Sequence, residues 1–215
     1  MLDALRGFLD SPDHPHTPSL RIDAARWNDF CLDLDVAVTD FNYEATWSVW
    51  TIRCEGVREF QLLQRFGESL EVHESTHAAV RQHTDPWRAL FFKGKPRDVP
   101  GLIGQLRLVH ERLAEDYIPF DRYLNVECPL IELLSGGNGK LAEGPRFIVE
   151  EYAEVLRRGS IAVSLGNEQP ARTWNGVEWV SADGPLSMVT MGSNCVVAQN
   201  FSDQRKDGLN GRADR

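Results

Sequence analysis

The sequence predicts an α+β fold, with strand-forming segments toward both ends of the chain and helices between them. Three observations support this class. Apolar and polar residues alternate near the start, two central segments have helical apolar spacing, and short β-rich segments follow them. The expected arrangement is mostly antiparallel sheet built from strands within residues 30–93 and 160–201, with two main helices at about 98–115 and 145–158.

The first strand is predicted from period-two alternation over residues 31–38. Asp33 and Asp35 then share one face of that strand. Two readings of this face stay open, because paired carboxylates are found on solvated edge strands and also bind divalent cations or partners. Residues rich in Trp, Val, Thr and Phe predict further strands at 47–54, 57–63 and 88–92.

The two main helices have recognisable ends. Asp98 is a good N-cap and Pro100 lies in the first turn, where proline is tolerated. Gly159 is a typical C-cap for the second helix. Shorter helices are predicted at 2–9 and 130–134. The glycine-rich residues 135–140 are interpreted as a loop, since they depart from the phosphate-loop motif.

Four strands are expected after the second helix, at 161–165, 173–180, 186–191 and 195–201. Asn175-Gly176 lies between Trp174 and Val177 and is the strongest hairpin signal in the chain. The polar residues 202–215 are expected to form a flexible tail. The sequence therefore predicts one domain over 1–201, with a candidate subdivision near 125–145.

Composition limits the classes of function. The chain has 215 residues and a formal net charge of −9, which argues against a general nucleic-acid binder and suits a basic protein partner. No apolar run is long enough to span a membrane, and the N-terminus lacks the pattern of a secretory signal. The four cysteines are widely spaced, which indicates a reducing, cytoplasmic setting. No cofactor is expected under this interpretation.

One short motif carries chemistry. His73-Glu74-Ser75-Thr76-His77 matches H-E-x-x-H, and over about ten residues the sequence resembles zinc metallopeptidases. That resemblance implies zinc bound by His73 and His77, with Glu74 as the general base of a hydrolase.

The motif requires a helix, and residues 69–80 leave the choice between helix and strand open. Leu70 and Val72 alternate with polar residues, as in a strand. In a strand, His73 and His77 would lie about 13 Å apart, too far for one ion. The candidates for a third zinc ligand are His110, Glu111 and Glu115.

The main hypothesis is therefore an acidic, non-catalytic protein-interaction domain that resembles immunity proteins or antitoxins in its charge. Zinc-dependent hydrolysis is the alternative. Six tryptophans support an interface, because aromatic side chains anchored on a sheet are frequent binding hot spots. The candidate contact residues are Trp47, Trp50, Trp174, Trp179, Asp33 and Asp35.

Overall fold

The computed structural model describes residues 1–14, 17–28, 31–40, 42, 45–174, 179–181 and 184–206, and of 172–174 and 179–181 only the backbone. The α+β class is confirmed, with antiparallel sheets and helices. The chain divides into two compact units: unit 1 comprises Met1–His77 and Gly184–Arg215, and unit 2 comprises Ala78–Asp183. The boundaries of these units fall near residues 77 and 183. A single domain over 1–201 with a subdivision near 125–145 stays a prediction.

The helices and strands follow one another in this order: α1 (Asp3–Leu9), β1 (Ser19–Asn28), β2 (Cys31–Thr39), β3 (Thr46–Glu55), β4 (Glu59–Gln61), β5 (Phe66–Gly67), β6 (Leu70–His73), α2 (Ala78–Thr84), β7 (Trp87–Lys93), α3 (Val99–Ala114), α4 (Leu130–Gly136), β8 (Asn138–Pro145), α5 (Arg146–Arg158), β9 (Ala162–Leu165), β10 (Arg172–Trp174), β11 (Trp179–Ser181), β12 (Ser187–Met191), β13 (Asn194–Ala198) and β14 (Asn200–Arg205).

Unit 1 is built from two antiparallel sheets that share one core. The larger sheet has the strand order β14-β3-β2-β1-β5, and the smaller has the order β4-β13-β12-β6. The alternation in β2 directs Leu34 and Val36 inward, where they belong to the same apolar cluster as Val189 and Val196 of the smaller sheet. Helix α1 contributes Leu5 to this cluster.

Two features of unit 1 differ from the sequence-based expectation. β1 was not predicted, although it pairs with β2 along its whole length. Residues 202–205, expected in the flexible tail, are part of β14 and pair with β3. The polar sequence of this segment is that of an edge strand, and the Asp203 carboxylate accepts a hydrogen bond from the backbone N–H of Leu5.

Unit 2 packs its helices on a three-stranded antiparallel sheet with the order β8-β7-β9. Both predicted main helices are present as α3 and α5, and the Asp98 carboxylate caps α3 by accepting from the N–H of Gly101 at 2.9 Å. β8 includes residues 138–140, which were interpreted as a loop. β10 pairs with β11, while the Asn175-Gly176 turn lies outside the described residues.

None of the helices in the described part of the chain is long and apolar enough to cross a membrane. The four cysteines Cys31, Cys54, Cys128 and Cys195 are free thiols. Burial raises the pKa of the Cys54 thiol to about 12 and that of Cys195 to about 11. Both thiols are therefore protonated at neutral pH and unsuited to act as nucleophiles.

Candidate functional site

The H-E-x-x-H motif does not lie on a helix. β6 ends at His73, residues 74–77 form a turn, and α2 begins only at Ala78. The helical geometry that the metallopeptidase resemblance requires is therefore absent. Glu74 is exposed in the turn. The strand interpretation of residues 70–73 is correct, because Leu70 to His73 pair with β12.

The turn nevertheless brings the two imidazoles together. The N–H of His77 donates to the carbonyl of Glu74 at 3.1 Å, and the ring centroids of His73 and His77 lie 4.7 Å apart. The separation of about 13 Å expected for an extended strand is thus wrong, since the chain reverses after His73. His73 Nε2 also lies 3.2 Å from Thr190 Oγ1 and 3.6 Å from Glu71 Oε2.

The proposed third ligands belong to unit 2, and two of them have other partners there. Both ring nitrogens of His110 are hydrogen-bonded inside the core, and Glu111 pairs with Arg107 at 2.8 Å. Glu115 is the C-cap residue of α3, and its side chain is exposed. Across the described ranges, no three His, Cys, Asp or Glu side chains form a group able to hold a metal ion.

Zinc binding by His73 and His77 stays a prediction. The two imidazoles are the only ligands named for it that lie together, and no helix orients them. Metal analysis of the purified protein tests it. Stoichiometric zinc that is lost in His77→Ala would support the alternative function, because two imidazoles held on one ion bind far more tightly than one. Zinc retained by that variant would contradict a role for the pair.

Asp33 and Asp35 share one face of β2, as predicted, but each is bound to cations. The Asp35 carboxylate accepts two hydrogen bonds from Arg26, at 2.6 and 2.7 Å, and contacts Lys206 Nζ at 2.7 Å. Asp33 pairs with Arg53 at 2.9 Å. A divalent cation would have to displace these partners, so the pair functions as a cross-strand ion network.

These ion pairs should make the folding stability of unit 1 depend on pH. Hydrogen bonds from Arg26, then from Lys206 and Thr51, hold the pKa of Asp35 well below its usual range, although desolvation opposes them. A depressed folded-state pKa adds stability above the unfolded carboxyl pKa of about 4, and this stability is lost as the pH falls further. We expect Asp35→Asn to unfold at a lower temperature than the wild type at neutral pH, with a difference that shrinks below about pH 4.

Thermal unfolding of both proteins from neutral pH to about pH 2 checks this prediction. The matched control is Asp10→Asn, which removes an exposed carboxyl at the end of α1. Its unfolding temperature should differ from that of the wild type by an amount that does not change with pH. If the wild type still unfolds at a higher temperature than Asp35→Asn by the same margin in acid, the charge of Asp35 is not the source of the difference.

The tryptophans predicted to contact a partner are placed differently from one another. Trp50 is only 4 % exposed and donates its indole N–H to Ser48 Oγ at 2.8 Å, so burial removes it from the contact surface. Trp47 is half-buried and its ring stacks on His14, with centroids 4.8 Å apart. The backbones of Trp174 and Trp179 pair across β10 and β11, and their side chains lie outside the described residues.

A different aromatic pair is exposed in unit 1. Trp27 of β1 is 53 % exposed and Phe60 of β4 is 49 % exposed, and their ring centroids lie 5.7 Å apart. Each belongs to a different sheet, so the rings meet at an open side of the two-sheet core. The sequence interpretation missed both residues. The available signal was a lone tryptophan in the polar segment 23–28.

The surrounding structure holds this pair in place. β1 is paired with β2 up to Asn28, which fixes the backbone of Trp27. The segment after Phe60 is fastened by the buried Asn194, whose Oδ1 accepts from the N–H of Leu63 at 2.8 Å and from that of Gln64 at 2.9 Å. Because both backbones are anchored, the rings lose little conformational freedom when a partner binds.

Comparison with known proteins adds no assignment. No protein-family model, curated protein or solved structure matches this chain significantly. The function therefore has to be argued from the chemistry of the surfaces described above.

Proposed function

We propose that the chain is a non-catalytic protein-interaction domain of the cytoplasm whose unit 1 binds a basic protein partner. The observation that carries the proposal is the exposed contact between Trp27 and Phe60 on the unit that holds most of the negative charge. An immunity protein or antitoxin that neutralises a basic toxin is the kind of protein that fits, by analogy of charge. The four free cysteines suit a reducing compartment.

Charge is distributed unevenly between the two units. Unit 1 contains 17 Asp and Glu against 10 Lys and Arg, whereas unit 2 contains 15 against 13. Seven of the nine net negative charges therefore belong to unit 1. A surplus of this size attracts cationic surfaces over distances near the Debye length and speeds their encounter. It supports a basic partner for unit 1 in particular.

The aromatic pair supplies the short-range part of such an interface. Large aromatic side chains in mutual contact and open to solvent are unusual on a monomer, and Trp is enriched among binding hot spots. The faces of Trp and Phe rings also attract arginine and lysine side chains through cation–π interaction. The same two residues can therefore bury apolar surface and favour a cationic partner.

The titratable groups with shifted pKa values support a non-catalytic role. The pKa values of Asp23, Asp33 and Asp35 are lowered because arginines donate hydrogen bonds to all three carboxylates. None of the three lines the cavity of about 410 Å³ in unit 2, which contains Trp87 and Glu143. Structural ion pairs account for these shifts without a catalytic site.

The test uses a library of random short peptides displayed on phage and selected on the purified full chain. We expect enrichment of peptides rich in Arg and Lys. Their affinity should fall about a hundredfold for the double variant Trp27→Ala/Phe60→Ala. This corresponds to a loss of about 3 kcal/mol in binding free energy when both aromatic contacts are removed. Isothermal titration of the selected peptides measures the loss.

The matched control is Phe91→Ala/Leu108→Ala, which truncates two exposed apolar side chains of unit 2. It should leave the affinity unchanged. The proposal is refuted if the selected peptides are not basic, or if they bind the Trp27 and Phe60 double variant as tightly as the wild type.

A further inference from the structure

One edge of the larger sheet in unit 1 is open. β1 pairs with β2 on one side, but on its other side β5 pairs only with Leu20 and Arg21. Beyond them, the N–H of Ile22 donates to the carbonyl of Arg65 at 2.7 Å, and Arg65 Nη2 lies 3.4 Å from Asp23 Oδ1. No strand among the described residues pairs with the outer edge of 23–28.

The strand at the opposite edge of the same sheet, β14, contacts a helix. Helix α1 lies against β14, where the Arg205 guanidinium is 5.1 Å from the centroid of the Phe8 ring and Asp203 accepts from the N–H of Leu5. Natural proteins cover, shorten or charge the edges of their sheets to prevent unwanted pairing. Residues 23–28 do carry two charges, Asp23 and Arg26, and they begin at an irregularity in the pairing with β2. The adjacent alanines Ala24 and Ala25 nevertheless leave the backbone between these charges accessible.

The two faces of this edge differ in chemistry. Trp27 is the cross-strand partner of Leu32 and lies on the core side, where its ring meets Phe60. Arg26 is the partner of Asp33 and lies on the outer side, where it shares the Asp35 carboxylate with Lys206. Side chains of a neighbouring strand would alternate between these two faces.

We infer that the basic partner binds by adding an extended segment as a strand to the open edge of β1, with Arg or Lys side chains on the face of Trp27 and Phe60. This rests on the proposed function and specifies its binding mode. In strand addition, backbone hydrogen bonds hold the segment, and alternate side chains determine specificity. Arg or Lys stack on the exposed rings on one face.

Charge selects this occupant over the alternatives. A second copy of the chain would bring two strongly acidic units together, because unit 1 has 17 acidic against 10 basic residues. On the outer face, the carboxylates of Asp33 and Asp35 are already paired with Arg53, Arg26 and Lys206, so a further cation there gains little. The segment therefore carries its positive charges at alternate positions, all on the core side.

The probe is a synthetic peptide that alternates Arg with Thr, titrated against the full chain. Its control is an isomer of the same composition with the arginines in one block. We expect the alternating peptide to bind about tenfold more tightly, because only it places every arginine on one face of a strand. Alternate backbone N–H groups of the added peptide face β1. N-methylation of the residues whose N–H faces β1 should therefore lower the affinity at least about tenfold, whereas N-methylation of the residues between them should change it little.

The outcomes separate the two proposals. Equal affinity for the two isomers, or equal effects of N-methylation at both parities, overturns strand addition. If that binding still falls in Trp27→Ala/Phe60→Ala, the aromatic pair remains the contact surface and the proposed function stands. If neither peptide binds, or binding does not depend on Trp27 and Phe60, both the binding mode and the proposed function are overturned.

Discussion

Replacing His110 by alanine will lower the free energy of unfolding of unit 2 by about 3 kcal/mol. His110 is 1 % exposed and makes two hydrogen bonds inside the core. Its Nε2 lies 2.7 Å from the carbonyl oxygen of Ile118, and its Nδ1 lies 2.7 Å from the hydroxyl of Tyr152. A carbonyl can only accept, so Nε2 carries the proton and Nδ1 accepts from Tyr152.

The size of the effect follows from the groups that alanine leaves behind. The Ile118 carbonyl and the Tyr152 hydroxyl both lose a partner, and each buried unsatisfied group costs about 1–3 kcal/mol. The cavity left by the ring adds to this cost, because a packed core relaxes only in part. Burial already raises the pKa of Tyr152, so its hydroxyl stays protonated and needs an acceptor.

Tyr152→Phe is the graded control, because it removes one hydroxyl and leaves the ring. It should cost about 1 kcal/mol, less than His110→Ala. Denaturant unfolding gives both free energies, and amide hydrogen exchange in α3 and α5 assigns the loss to unit 2. A cost below that of Tyr152→Phe would show that the imidazole does not hold this network together.

Periodicity predicted the elements whose burial is one-sided. α5 is such an element, and β2 was found from its alternating sequence although both faces are buried from Asp35 onward. β1 and β14 were missed because such strands form by pairing with a neighbouring strand and need no strand-like pattern in their own sequence. Residues 23–28 are mostly exposed, and Asn200–Arg205 is polar, yet both segments pair over their length with strands that were predicted.

The candidate site was harder to predict for a related reason. Trp50 lies in an apolar alternating run, and that same run is why it is buried. Selecting tryptophans by their β-rich surroundings therefore favours core residues. Trp27 follows alanines and an arginine, which leaves it exposed, and its contact with Phe60 joins two sheets. Such a contact depends on the tertiary fold and has no local signature.

The spacing of the charged residues was informative only in part. It placed Asp33 and Asp35 on one face of β2, which holds in the structure. It could not show that Arg26, Arg53 and Lys206 converge on that face, because they come from β1, β3 and the residue after β14. The ion network is a property of strand order.

Trp50→Ala will lower the free energy of unfolding of unit 1 by about 4 kcal/mol, whereas Trp27→Ala will change it by less than about 1 kcal/mol. Trp50 is 4 % exposed, its ring centroid lies 5.8 Å from that of Phe8, and its indole N–H donates to Ser48. Truncation leaves a large cavity and an unpaired hydroxyl. Trp27 is 53 % exposed, so its loss removes few packed contacts.

Once folding is accounted for, only one of the two variants should weaken binding. Under conditions where both remain folded, Trp50→Ala should keep the affinity for basic peptides, because its side chain does not reach the surface. Trp27→Ala should lose at least about tenfold, since it removes half of the exposed pair. Chemical denaturation and peptide titration of the same preparations measure both quantities. If Trp27→Ala unfolds unit 1 as readily as Trp50→Ala, the exposed pair is part of the core, and the surface assigned to partner binding has to be sought elsewhere.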